Sequence, residues 1–298
     1  MGLTFTSDAR PPSNTQLLPN RFLRPAFGEL YGFDADADSG VTIDGALTTE
    51  LAEPLTAENG DILQFEPVGG APTGLPSITN TYSVDFDGSN DYMAVGSVTQ
   101  INSVTNLSTS SWFKIDAYQG GGGPIILGGN SVVGSNGFYL QALSATSLRY
   151  AHQDYSSFEN FTLLSVPINT WHNVVTVQSG TSLTVYLNGT SVGTATVTAV
   201  DSGWGSNFTI GKWSGGSFNY MNGLIDEVSL FDSALSASDV TAIYNSGTPN
   251  DISSLSPVGW WRMGDNDGGT GTTITDQGSG GNNGTLTNGP TFSTDVPT

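Results

Sequence analysis

From Tyr82 onward apolar and polar residues alternate with a period of two, and that spacing constrains the chain more than any other feature. Tyr82, Val84 and Phe86 fall on one side of an extended segment and Asp85 and Asp87 on the other; Leu183, Val185 and Leu187 repeat the pattern. In a strand successive side chains point to opposite faces, so this spacing predicts strands with one buried face. Asn188-Gly189 separates two such runs, and a type I′ turn with positive φ at both positions predicts a hairpin there. Further strands are predicted at 108–115, 136–142, 171–178, 207–212 and 223–231. One helix is predicted after Ser236, where Val240, Ile243 and Tyr244 recur at helical spacing; Ser236 or Ser238 is the N-cap and Gly247 the end. Many short strands with evenly spaced turns predict an all-β, antiparallel two-sheet sandwich.

Residues 1 to about 80 read differently. Three of the seven cations, Arg10, Arg21 and Arg24, fall in the first 24 positions, and ten acids lie between Glu29 and Glu66. Four prolines, Pro11, Pro12, Pro19 and Pro25, predict an extended opening arm. Residues 41–66 predict a small β-module, and the Gly and Pro content of Val68–Asn80 predicts a linker. The expected organisation is an N-terminal arm and β-module over 1–80, a sandwich over 81–247, and a C-terminal segment over 248–298.

The balance of 7 Lys and Arg against 27 Asp and Glu gives a formal charge of −20, which excludes a nucleic-acid binder built on a basic groove and disfavours docking on an anionic membrane. With no cysteine, disulfides, thiolate metal sites and cysteine nucleophiles are impossible. No run of 18 apolar residues predicts a membrane span. The opening lacks the apolar stretch of a secretory signal, which predicts synthesis in the cytoplasm without export and makes the N-x-S/T sequons uninformative.

The segments YSVDFDGSNDYMAVG, WHNVVTV, LTVYLNG, FTIGKWSGG and MNGLIDEVSLFDSALSASDVTAIYN resemble, in order and spacing, the laminin-G-like jelly rolls of the concanavalin A-like superfamily over about 82–245. The resemblance implies a jelly roll that binds carbohydrate or protein, often with a structural Ca²⁺. The tail from VGWWRMGDNDGG to GTLTNGPTF resembles the segment that normally precedes the first strand of such a domain, yet here it follows it. It is either a truncated second repeat or a segment that packs back as missing edge strands; the second is expected, because some 40 residues bury too little surface to fold alone.

Hard cations want several oxygens. The resemblance implies a Ca²⁺ site at Asp87 and Asp226, with Asp91 as a third ligand; the competing reading is that Asp87 and Asp91 order their own turn. A weaker candidate is Asp34, Asp36 and Asp38, which begin like a calcium loop, although the glycine comes one position late and Gly45 stands where a bidentate glutamate belongs. Trp204, Trp213, Tyr155 and Phe158 lie in Gly- and Ser-rich segments and are the expected glycan-stacking residues; Trp112, Trp171, Trp260 and Trp261 are expected in the core. After residue 80 only Glu159 and Glu227 are available as glutamates, and the glycanase E-x-D-x-E signature is absent, so no catalytic residues are assigned. Gly189–Gly193 matches G-x-S-x-G formally but follows a hairpin turn where a strand-to-helix elbow is needed. His152 and His172 are expected to be structural.

The chain is similar in these respects to phage virion proteins. That similarity implies a non-enzymatic virion structural protein, a capsid decoration, fibre or tail component present in many copies or as a homo-oligomer. Residues 1–80 would contact other virion proteins, and the jelly roll would present a surface to a host glycan or protein. The alternatives are a capsule polysaccharide depolymerase and a bacterial adhesion or carbohydrate-binding protein.

Overall fold

A computed structural model divides the chain into two compact units, Met1–Thr73 and Gly74–Thr298. It describes residues 75–118, 123–129, 137–153, 157–162, 166–200, 203–216 and 219–298, and before them the backbone of five short strands. The first unit contains β1 (Gly2–Phe5), β2 (Phe22–Leu23), β3 (Tyr31–Gly32), β4 (Val41–Asp44) and β5 (Phe65–Glu66). Its three-stranded antiparallel sheet runs β4-β1-β5, and β2 pairs with β3. Asp34, Asp36 and Asp38 lie outside the described residues.

Residues 75–80 belong with the second unit: Ser77 forms a β-bridge with Asn250, and the Pro76 carbonyl accepts from the Asp251 N–H at 2.7 Å. Its strands in chain order begin with β6 (Ser83–Asp87), β7 (Tyr92–Gly96), β8 (Asn106–Ile115), β9 (Ile125–Gly129) and β10 (Gly137–Ser144). They continue with β11 (Ser147–Gln153), β12 (Ser157–Thr162), β13 (Trp171–Ser179), β14 (Ser182–Leu187), β15 (Thr190–Thr196) and β16 (Phe208–Ile210). Last come β17 (Asn222–Phe231), β18 (Gly259–Trp261), β19 (Thr273–Ile274), β20 (Gly284–Thr287) and β21 (Thr291–Ser293). The first sheet runs β12-β11-β10-β9-β16-β7-β20-β19; the second runs β15-β14-β13-β8-β17-β6-β21, with β18 also on β17. Every described pairing is antiparallel, which makes this unit a two-sheet jelly-roll sandwich.

Side chains from both sheets meet in one core: Val84, Phe113, Val174 and Ile225 from one, Met93, Leu127, Phe138 and Ile210 from the other. The half-buried strands expected from the alternation do not describe the middle of the second sheet. Along β13, Val174 joins that core, whereas Val175 and Val177 join a second cluster with Val240 and Ile243 of the helix α1 (Ala237–Tyr244). The helix therefore covers the outer face, and β17 is buried at nearly every position.

α1 begins with a capping box: Ser236 Oγ accepts from the Asp239 N–H at 3.2 Å, and Asp239 Oδ2 accepts from the Ser236 N–H at 2.8 Å. It ends earlier than Gly247, because Asn245 takes a left-handed conformation and a 3-10 turn follows. Asn188 and Gly189 have φ of 49° and 74°, as a type I′ turn requires.

The C-terminal strands are spliced into both sheets. β20 pairs with β7, β21 with β6, and β18 with β17. β17 changes partner along one edge: residues 222–225 pair with β6, and 228–230 with β18. Asp226 and Glu227 sit at that switch, where the register shifts and Glu227 adopts a φ of 44°.

Candidate functional site

Several predicted site residues converge at one rim of the sandwich. The β6–β7 turn is held by Asp87, whose Oδ1 accepts from the Ser89 N–H at 2.7 Å, and by Asp91, whose Oδ2 accepts from the Asp87 N–H at 3.3 Å. Asp91 is buried, and burial pushes its carboxyl up from the ordinary range. β16 lies beside β7 and leads into the turn at 211–216, which places Lys212 Nζ 4.1 Å from the centre of the Tyr92 ring. Burial lowers the Lys212 ammonium from its usual value. Trp213 follows, half-buried, its carbonyl accepting from the Gly216 N–H at 3.3 Å. On the other side of the turn Asn288 Nδ2 donates to the Asn90 carbonyl at 2.9 Å. Asp87, Asp91, Tyr92, Lys212 and Trp213 thus share one end of neighbouring strands.

Trp204 is a correction. It is fully buried and stacks on Phe138 with ring centroids 5.2 Å apart, so it belongs to the core and offers no face to a sugar. The glycines around it serve close approach: a Cβ on Gly129 would stand 2.0 Å from the Trp204 carbonyl oxygen, and one on Gly205 would stand 1.8 Å from that of Val98. Tyr155 lies outside the described residues, and Phe158 is placed only by the backbone of β12 at the edge of the first sheet. Trp112, Trp260 and Trp261 are core residues, whereas Trp171 is half-exposed and donates through Nε1 to Asp295 Oδ1 at 2.8 Å.

Asp226 does not join Asp87 and Asp91. It is fully buried at the β17 switch; Oδ2 accepts from Asn80 Nδ2 at 3.0 Å and Oδ1 from the Glu227 N–H at 2.8 Å. Among the described residues no three His, Asp or Glu side chains come together as a metal cage. The set Asp87, Asp91 and Asp226 therefore does not fit one Ca²⁺, which takes six to eight oxygens.

Glu227 is equally enclosed: Trp260 Nε1 donates to Oε2 at 2.6 Å and Arg262 Nε to Oε1 at 2.9 Å. Arg262 also donates to the Thr79 carbonyl at 2.6 Å and to Asp265 Oδ2 at 3.2 Å. Asp265 Oδ1 takes the N–H groups of Thr81 and Tyr82. Burial raises Asp226 well above the carboxylate range, with Glu227 adding repulsion, and holds Glu227 at about 7 even against Arg262. Glu159 lies on β12, a strand of the other sheet.

The carboxylates that organise the C-terminal segment went unassigned in the sequence. Asp276 accepts from the N–H groups of Trp260 and Gly278 at 2.8 Å and of Asn282 at 2.7 Å. Asp295 pairs with Lys114 as well as Trp171; burial works against its charge, but these bonds hold its carboxyl below the usual range. For Asp276 the available signal was the run of Gly and Asn that follows it, the composition of a side-chain-braced turn, whereas Asp295, in TDVPT, carries none. His172 Nδ1 lies 3.2 Å from Asn188 Nδ2, and His152 Nδ1 lies 3.1 Å from Thr198 Oγ1, both within the scaffold.

Residues 87–241 match the family described as the concanavalin A-like lectin/glucanases superfamily. No curated protein sequence matches the chain. Among solved structures, a candidate carbohydrate-binding protein from Bacteroides ovatus is 16% identical, with 99% of this chain and 89% of that one covered and a TM-score of 0.54. A SAP-like pentraxin from Limulus polyphemus is 18% identical over 56% of this chain and 84% of its own, with a TM-score of 0.46. At these identities the structural likeness concerns the fold. The family match takes in the turn at Asp87, the strands β7 to β17 and most of α1, and the chain belongs to the concanavalin A-like lectin/glucanases superfamily.

Proposed function

We propose that the sandwich is a non-catalytic glycan-binding module and that the chain is a structural component of a phage virion, anchored to other virion proteins through residues 1–80. The observation that carries the glycan reading is the rim where Lys212 lies over the Tyr92 ring and the half-buried Trp213 is the next residue, in a chain whose family includes lectins. Aromatic side chains bind the apolar face of a sugar ring while neighbouring polar groups take its hydroxyls. Trp213 is the stacking residue in this reading, and Asp87 and Asp91 accept from sugar hydroxyls or hold a cation that coordinates the hydroxyl oxygens. The similarity to the B. ovatus protein supports the same class of ligand. The non-catalytic part is supported by Glu227, whose carboxyl is buried and held by Trp260 and Arg262. The virion part is supported by the formal charge of −20, the lack of cysteine and a separate N-terminal unit. Many copies on one particle turn weak single-site binding into avidity.

The test is a glycan array with the full-length protein and with Trp213→Ala, each with Ca²⁺ and with a chelator. Binding that falls at least about tenfold in the variant supports the module. No binding by the parent protein overturns it and leaves a cementing role, and release of reducing sugar from a bound polysaccharide overturns the non-catalytic part. Absence of the chain, by mass spectrometry, from purified particles of the encoding phage overturns the virion part alone.

A further inference from the structure

Beneath α1 the outer face of the second sheet carries a small recess with room for about one water-sized occupant. Ser110 of β8, Ser229 and Glu227 of β17 and Asn250, whose amide is bonded to Asn245 and Ala242, supply its polar side, and Trp112 and Ile243 are among its apolar walls. Ser229 is fully buried, and its Oγ has no hydrogen-bond partner. A buried hydroxyl left unsatisfied carries a folding cost, and a native structure that keeps one calls for an explanation. Ser110 Oγ takes one bond, from Asn173 Nδ2 at 3.2 Å, and keeps acceptor capacity. Each Glu227 oxygen takes one donor and likewise keeps a lone pair.

The charge around the recess does not balance. Glu227 and Asp265 share one guanidinium, that of Arg262, and the buried Asp226 stands next to Glu227, bonded to its backbone N–H and to Asn80. With Asp226 neutral, Asp265 and, once it is ionised, Glu227 share that single cation. The last turn of α1 borders the recess through Ile243, and the carbonyl end of a helix favours positive charge.

We infer that this recess binds a single monovalent metal cation, Na⁺ or K⁺, through Ser229 Oγ, Ser110 Oγ and the Glu227 carboxylate. Oxygen donors of this kind suit a hard cation. One carboxylate already paired with arginine, beside neutral hydroxyls, falls short of the carboxylate-rich shell of Ca²⁺, and the apolar walls leave little room for the retained waters of Mg²⁺. The ion ties β8 and β17 to the helical strap and offsets the excess negative charge at the β17 switch.

The test is the thermal midpoint of the full-length protein at a fixed ionic strength of about 0.15 M, with choline replaced stepwise by Na⁺ or by K⁺. The expected result is a saturable rise of about 2–6 °C with one of the two ions. Ser229→Ala, which removes only an unpartnered hydroxyl and keeps the fold, is expected to abolish the rise. Crystals grown with Tl⁺, a heavy mimic of K⁺, should show its anomalous peak in the recess. Equal midpoints in choline, Na⁺ and K⁺ with no Tl⁺ peak overturn the inference and leave a proton as the neutralising charge. An ion-specific rise that survives Ser229→Ala overturns the assignment to this recess.

Discussion

Single residues show where composition misleads. The sequence around Trp204 has the glycine content of a loop, yet the side chain stacks on Phe138 in the core. Trp204→Ala is therefore expected to cost about 3–5 kcal/mol of folding stability, measured by urea unfolding, through the cavity it leaves. A value near zero would restore the exposed-loop reading. Trp213→Ala at the rim, by contrast, is expected to change stability by less than about 1 kcal/mol. His172 is a second case: burial lowers its pKa, so the folded protein refuses a proton that the unfolded chain accepts below about 6.5. Its stabilising contribution is then present above that value and is lost as the pH falls below it. Between pH 7 and pH 5 the thermal midpoint of the parent protein should fall further than that of His172→Gln. Equal losses would mean that the ring is protonated in the fold.

Elements show which local signals survive assembly. The β14–β15 hairpin and α1 form where the sequence places them, because an Asn-Gly turn and a capping box are satisfied by residues two or three positions apart. The C-terminal segment obeys a different logic. Its strands β20 and β21 take their hydrogen bonds from β7 and β6, some two hundred positions earlier. The Arg262, Asp265 and Asp276 bonds then fix the chain between them. Deleting residues 257–298 would expose the edges of both sheets and strip the core of Trp261, Met263, Ile274 and Leu286. The truncated protein is expected to be insoluble or to melt at least about 10 °C lower, by differential scanning fluorimetry. An unchanged midpoint would mean that the segment merely rests on the surface.

For the molecule as a whole, the charge of −20 predicts a stability that rises with ionic strength whatever the cation, since screening relieves self-repulsion. Thermal midpoints in choline chloride from about 0.02 to 0.5 M should increase monotonically, and a flat response would show that the charges are already locally compensated. The all-β class, the hairpin, the helix and most strands of the sandwich were legible because each depends on a period of two, a period of 3.6 or a turn residue, all local properties of the chain. Of the residues placed at the rim, Asp87, Asp91 and Trp213 are singled out by the sequence, whereas Lys212 and Tyr92 are not, since their contact joins two segments distant in sequence. The burial of Asp226 and Trp204, the Glu227–Arg262 pair and the recess beneath α1 were decided by tertiary structure alone. Alternation along a strand tells which residues share a face but not what covers that face, and whether a carboxylate there meets water, an arginine or a serine depends on segments that only the closed sandwich brings together.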